Sequence, residues 1–140
     1  LLGMKQENKQ LLLKDLCARL PYGLKVKIKH HDDAWELLAI YTNGTTYATR
    51  DIGYPIETYF EDCKPYLFPL SSMTDEQKEF IKNNFCYDWD IDDHPYSWWA
   101  QSMEIGSVDE LIDWFHKNHF DYRELIPKGL AEDATDKNIY

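Results

Sequence analysis

Apolar residues first fall into helical spacing. Leu13, Leu16, Cys17 and Leu20 recur at i, i+3, i+4 and i+7 within Lys9–Leu20, and Leu12 widens the stripe, so an amphipathic helix is expected there. Pro21 and Gly23 stop it. The period then changes to two. Leu24–His30 alternates strictly, placing Val26 and Ile28 inward and Lys25, Lys27 and Lys29 outward, where lysines typically guard a sheet edge. Trp35–Tyr41 and Thr45–Arg50 flank Asn43-Gly44, which predicts a hairpin closed by a two-residue type I′ turn. Asp51–Pro55 reads as loop and Ile56–Cys63 as a further strand, weakened by Glu57, Glu61 and Asp62. Lys64–Pro69, with two prolines, reads as an extended connector.

The second half returns to helical signals. Thr74 and Gln77 make a capping box that opens a helix to about Asn84, with Phe80 and Ile81 as its apolar side. Phe85–Ile91 alternates, with Tyr87, Trp89 and Ile91 on one face and Asp88 and Asp90 on the other. Ser107 and Glu110 form a second capping box, with Val108, Leu111, Ile112 and Phe115 on the buried face of the helix that follows. Residues 131–140 have little to bury and are expected to fray. The pattern as a whole predicts a single α+β domain over residues 1–130. Its expected parts are an antiparallel sheet of three to five strands, an N-terminal helix and two helices in the C-terminal half.

Charge changes the picture. Residues 1–50 carry eight Lys/Arg against five Asp/Glu, and residues 51–140 carry seven against twenty, so the formal net charge of −10 resides wholly in the second part. Such a surface repels nucleic acid and anionic membrane, which argues against direct nucleic-acid binding by the three outward lysines. No run of residues approaches the ~18–20 apolar positions that a membrane-spanning helix needs. Leu1-Leu2-Gly3-Met4 runs directly into Lys5-Gln6-Glu7-Asn8, which is not the apolar stretch of a secretory leader, and Met4 is a candidate initiator. Cys17, Cys63 and Cys86 are odd in number and widely spaced, a pattern of reduced thiols rather than a disulfide framework or zinc knuckle.

Candidate chemistry is sparse. The acidic run Asp88-Trp89-Asp90-Ile91-Asp92-Asp93-His94 opens like a calcium loop, but Asp93 replaces the turn glycine and Trp99 stands where the bidentate Glu belongs. A strand with carboxylates facing water explains the same run. His30-His31-Asp32-Asp33 offers ligand types, yet neighbouring extended residues point oppositely, which favours a polar turn. His116 and His119 stand three apart without an H-E-x-x-H pattern and read as buried or boundary histidines. Cys63 and Cys86 sit among Glu61, Asp62 and Asp88, surroundings that do not activate a thiol. No nucleophile elbow or glycine-rich phosphate loop is present. No cofactor is expected. In His94-Pro95-Tyr96-Ser97-Trp98-Trp99 the adjacent tryptophans project oppositely in extended chain, so at most one is easily buried there and the other is a candidate to meet a partner beside the carboxylates; the alternative reading places both in a core short of aliphatics.

Two segments carry a family resemblance. Lys64-Pro65-Tyr66-Leu67-Phe68-Pro69-Leu70-Ser71-Ser72-Met73-Thr74 resembles a KPYLxPxSSMT signature, and Asp121-Tyr122-Arg123-Glu124-Leu125-Ile126-Pro127-Lys128-Gly129-Leu130-Ala131 resembles DYRxLIxxGLA. Both are similar to a family of small acidic proteins from Bacteroides-group bacteria and their phages and mobile elements. The chain departs from that pattern at Phe68, where a basic residue is usual, and at Glu124, where glycine is usual. The resemblance implies a bacterial or phage cytoplasmic setting and carries no chemistry with it.

The leading expectation is a non-enzymatic binding or adaptor protein whose acidic aromatic face contacts a basic protein. The candidate surface is Asp88, Asp90, Asp92, Asp93, His94, Tyr96, Trp98 and Trp99. An acidic mimic of nucleic acid is the second reading, and its mark would be carboxylates spaced like phosphates. A metal-dependent hydrolase built on Asp88, Asp90, Asp92, Asp93 and His94 is the third.

Overall fold

The computed structural model describes residues 4–85 and 105–140. Its first helix, α1 (Gln6–Arg19), passes through a short 3-10 turn (Leu20–Tyr22) into Gly23 at φ 68°. Strands β1 (Lys25–Ile28), β2 (Ala34–Ile40), β3 (Thr45–Thr49) and β4 (Ile56–Tyr59) follow, then a 3-10 turn (Phe60–Asp62) and β5 (Cys63–Pro69). Helices α2 (Asp75–Phe85) and α3 (Ile105–Lys117) precede two short strands, β6 (Phe120–Asp121) and β7 (Glu132–Asp133). The fold is α+β. Strand order is β4-β3-β2-β1-β5-β6, with β7 also on β5; β6 and β7 run parallel to β5 and the other pairings are antiparallel.

Several expectations are corrected here. The stripe that α1 buries is Leu12, Asp15, Leu16 and Arg19, while Cys17 is exposed. Hydrophobicity alone rotated the expected face, because two of its buried positions are charged. Strand β1 lies between β2 and β5, so its lysines do not guard an edge. Instead Lys25 faces Glu36, and Lys27 faces Lys64 and reaches Glu132 at 3.9 Å.

The hairpin forms, but not through a two-residue turn. Tyr41 N–H donates to Thr45 O, Gly44 N–H donates to Tyr41 O, and only Gly44 takes positive φ, at 90°. Asn43 contributes its side chain, accepting the Thr45 amide at 3.0 Å. The positive φ is what requires glycine at 44; an added Cβ would only touch the Phe60 ring, at 3.4 Å.

Lys64–Pro69, expected as a connector, belongs to the strand β5. Prolines fit because Lys29 N–H donates to Asp62 O in the same register, which puts Lys27/Lys64 in the hydrogen-bonded phase and turns the Pro65 nitrogen away from β1. The next pair in that phase would be Lys25 and Tyr66. There the Tyr140 hydroxyl inserts, accepting from Lys25 N–H at 3.0 Å and donating to Tyr66 O at 2.9 Å. The tail expected to fray is therefore laced into the sheet: Ala131 and Ala134 are buried, β7 pairs with β5, and Tyr140 stacks on His119 with centroids 3.6 Å apart.

The capping box of α2 is as expected, with Gln77 N–H on Thr74 Oγ1 and Thr74 N–H on Gln77 Oε1. Helix α3 starts at Ile105, so Ser107 lies inside its first turn rather than at the cap. Two apolar clusters result. One packs α1 against β1, β2, β3 and β5 around Leu16, Val26, Trp35 and Leu67. The other joins Ile81 and Phe85 of α2 to Leu111 and Phe115 of α3 and to Phe120.

Candidate functional site

The residues predicted to form the acidic aromatic surface, Asp88, Asp90, Asp92, Asp93, His94, Tyr96, Trp98 and Trp99, lie outside the described residues, as do Cys86 and the alternating stretch that follows Phe85. The described structure does show what leads into and out of that segment. Phe85 ends α2 and Ile105 begins α3, and the two helices pack together through the second apolar cluster.

Their joint surface is acidic and aromatic. Ile81 points into the core, but its neighbour Phe80, expected on the same apolar side, is 44% exposed. Its ring lies nearly parallel to Trp114 of α3, with centroids 5.8 Å apart and planes 22° apart. Trp114 in turn stacks on Phe120 at 5.6 Å and 9°, so the exposed ring is the outer end of a column rooted in the core. Glu76 stands one helical turn before Phe80 and Glu110 one turn before Trp114, and both are exposed on the faces that carry the rings. Glu79, Asp109 and Asp113 are exposed as well. A ring at such a position offers apolar area and a cation-attracting face, and the carboxylates supply a field that draws basic groups to it.

Behind this surface lies a buried charge cluster that the sequence reading missed. Asp15 and Arg19 are fully buried one turn apart, and both Asp15 oxygens accept from Arg19 Nε, at 3.0 and 2.9 Å. Arg19 Nη2 donates to Phe120 O at 2.6 Å, and Arg123 Nη1 reaches Asp15 Oδ1 at 2.7 Å. The cluster thus ties α1 to the chain after α3. Tyr122 lies beneath both guanidinium groups, 5.5 Å from Arg19 and 4.7 Å from Arg123, and its hydroxyl is 2.6 Å from His116 Nε2. Burial, reinforced by Arg19 and Arg123, lowers the His116 pKa to about 4; burial and Arg19 lower that of His119 to about 4. Both rings are neutral near pH 7.

Asp121 accepts the amides of Leu125 and Ile126 at 2.9 and 2.8 Å, closing the turn that positions Arg123. Burial pushes its pKa up and those two amides pull it down. Apart from Arg19 Nη1, which is buried without a hydrogen-bond partner, these side chains are paired within the fold and hold helices in place rather than present themselves to a substrate. The signal in the sequence was Asp15 and Arg19 at i, i+4 in phase with Leu12 and Leu16.

The remaining sequence candidates separate. His116 lies in the last turn of α3, but His119 lies beyond the helix at φ 62°, so the two do not share a helix face. His119 Nδ1 is buried without a hydrogen-bond partner. His30 and His31 lie in an exposed turn, with His31 edge-on to Trp35, while Asp33 pairs with Arg50. Cys17 and Cys63 are free thiols whose pKa values burial raises, and Cys63 Sγ is 3.6 Å from Thr46 Oγ1. Among the described residues no three His, Cys, Asp or Glu side chains converge as a metal site. None of the described helices is long and apolar enough to cross a membrane. Comparison with family models, with curated proteins and with solved structures found no match.

Proposed function

We propose that this chain is a non-enzymatic protein-binding domain that takes a basic partner on an acidic, aromatic surface. That surface comprises the outer faces of α2 and α3 together with Asp88, Asp90, Asp92, Asp93, His94, Tyr96, Trp98 and Trp99. One observation carries the reading: Phe80 is held half in solvent by its stack on Trp114, with Glu76 and Glu110 one turn away on the same faces. A phenyl ring costs free energy when left in water, and desolvating it against a partner returns that energy. Carboxylates around it raise the encounter rate with a basic surface and select against acidic ones. The charge split of the sequence supports the same reading, since the excess of carboxylates lies in the half that contains α2, α3 and the segment between them. A bacterial or phage cytoplasmic setting belongs to this proposal.

The test is affinity capture from the organism that carries the gene, comparing the wild-type protein with the Glu76→Lys/Glu110→Lys variant. The proposal expects a basic protein that the charge-reversed variant releases while keeping its fold. Equal capture by both proteins, or capture of an acidic protein, contradicts it.

A further inference from the structure

The sheet ends on β4, and the outer side of that strand carries no neighbour among the described residues. Phe60 N–H donates to Gly44 O at 2.9 Å and Thr58 O accepts from Thr46 Oγ1 at 3.1 Å, so residues 58 and 60 direct their main chain toward β3. Alternation then turns the N–H groups of Glu57 and Tyr59 outward, ready to pair with a further strand. Sheet edges are ordinarily blunted by lysine, by proline within the strand, by a bulge or by a covering loop. Here the strand is short, at four residues, and Glu57 is its one charged side chain, while its surroundings are apolar and exposed: Ile52 is 81%, Tyr54 90% and Tyr59 62% accessible.

The charge around this edge is predominantly negative, although Lys9 pairs with Glu61 at 3.5 Å and Arg50 donates to the Ile52 carbonyl at 3.0 Å. Residues 51–63 contain four carboxylates and no Lys or Arg. On the face away from α1, Glu57 stands directly across from Tyr47, whose hydroxyl lies 3.4 Å from Glu57 Oε2, and two residues from Tyr59 on the same strand. A carboxylate between two aromatic rings suits an ammonium or guanidinium group, which gains an ion pair and a cation–π contact together. We propose that β4 accepts an extended, basic segment of a partner protein as an added strand, with a Lys or Arg opposite Glu57. Main-chain hydrogen bonds supply affinity in this mode, and alternate side chains supply specificity. The edge is at the opposite end of the strand order from β6, against which α2 and α3 pack, so it is separate from the surface proposed above.

The probe is a capped synthetic peptide alternating lysine and valine, with a glutamate–valine peptide as its counterpart. Amide hydrogen exchange and chemical shifts are followed in the wild-type protein, in Glu57→Lys and in Glu57→Pro. The lysine peptide is expected to protect the Glu57 and Tyr59 amides, and the glutamate peptide is not. Glu57→Lys should raise the lysine peptide's Kd about tenfold or more, because like charges then meet across the new pair. Glu57→Pro should abolish binding while the β3 pairing persists. Equal protection by both peptides, shifts confined to α2 and α3, or no binding by either peptide overturns the proposal. So does a dimer of the free protein in which these amides are already protected, because the occupant is then a second copy.

Discussion

Phe80 and Trp114 lie face to face across α2 and α3 at 5.8 Å, one ring in solvent and the other passing the contact inward to Phe120. The stack makes a surface position rigid without burying it. Phe80→Ala should therefore cost about 1 kcal/mol of stability, the scale of one aromatic pair. Ile81→Ala, which opens a cavity between the two helices, should cost about 2–5 kcal/mol. Urea unfolding of the two variants distinguishes them, and equal losses would show that Phe80 belongs to the core.

The buried pair should tolerate joint replacement better than single replacement. Asp15→Ala leaves Arg19 buried beside Arg123 with no carboxylate between them, and should cost about 3–5 kcal/mol. Asp15→Leu/Arg19→Met restores apolar packing along the Leu12–Leu16 stripe and should cost less than Asp15→Ala alone. Chemical denaturation of both variants measures the difference.

Acid should destabilise the protein before most carboxylates titrate. Unfolded histidines take up protons near pH 6.5, whereas His116 and His119 in the fold resist protonation down to about 4. The stability of the neutral rings is thus fully present above pH 6.5 and is lost as pH falls toward 4, at up to about 1.4 kcal/mol per pH unit for each ring. Asp121, with its pKa raised by burial, acts in the opposite sense and offsets part of the loss at the acid end. Denaturation midpoints measured from pH 7 to 4.5 should fall steeply in the wild type and less steeply in His116→Gln. A flat wild-type profile would contradict the assignment of neutral buried rings.

Glu124 has φ of 61°, a left-handed conformation that L side chains resist, and its side chain is exposed. Glu124→Gly should stabilise the fold by about 0.5–1 kcal/mol, the relief of strain exceeding the added freedom of the unfolded chain. Thermal and urea unfolding would both report it.

The sequence conveyed local structure wherever one residue type implied one role. Thr74 and Gln77 announced the start of α2, and the Val26/Ile28 alternation announced β1. It concealed whatever depended on distant partners. Pro65 and Pro69 suggested a connector because the register that turns Pro65 away from β1 is a property of the assembled sheet. Asp15 and Arg19 drew no notice because their burial depends on Arg123 and on the Phe120 carbonyl, more than a hundred residues away. Tyr140 looked like loose tail because its hydroxyl bonds to main-chain atoms of Lys25 and Tyr66 that no side-chain pattern reveals. Of the proposed surface, residues 88–99 were chosen by composition and lie outside the described residues, while Phe80, which the structure does describe, was assigned to the wrong side of α2.

The central claim is most directly tested by the association kinetics of the recovered partner with the wild type, Phe80→Ala, Trp98→Ala and Trp99→Ala, from ~0.1 M to ~1 M salt. Over that range the screening length shortens from ~10 Å to ~3 Å, so the association rate should fall steeply. Phe80→Ala and at least one tryptophan variant should each lose about 2 kcal/mol or more of binding while remaining folded. A salt-independent rate, with all three variants binding as the wild type does or losing binding only by unfolding, would contradict it.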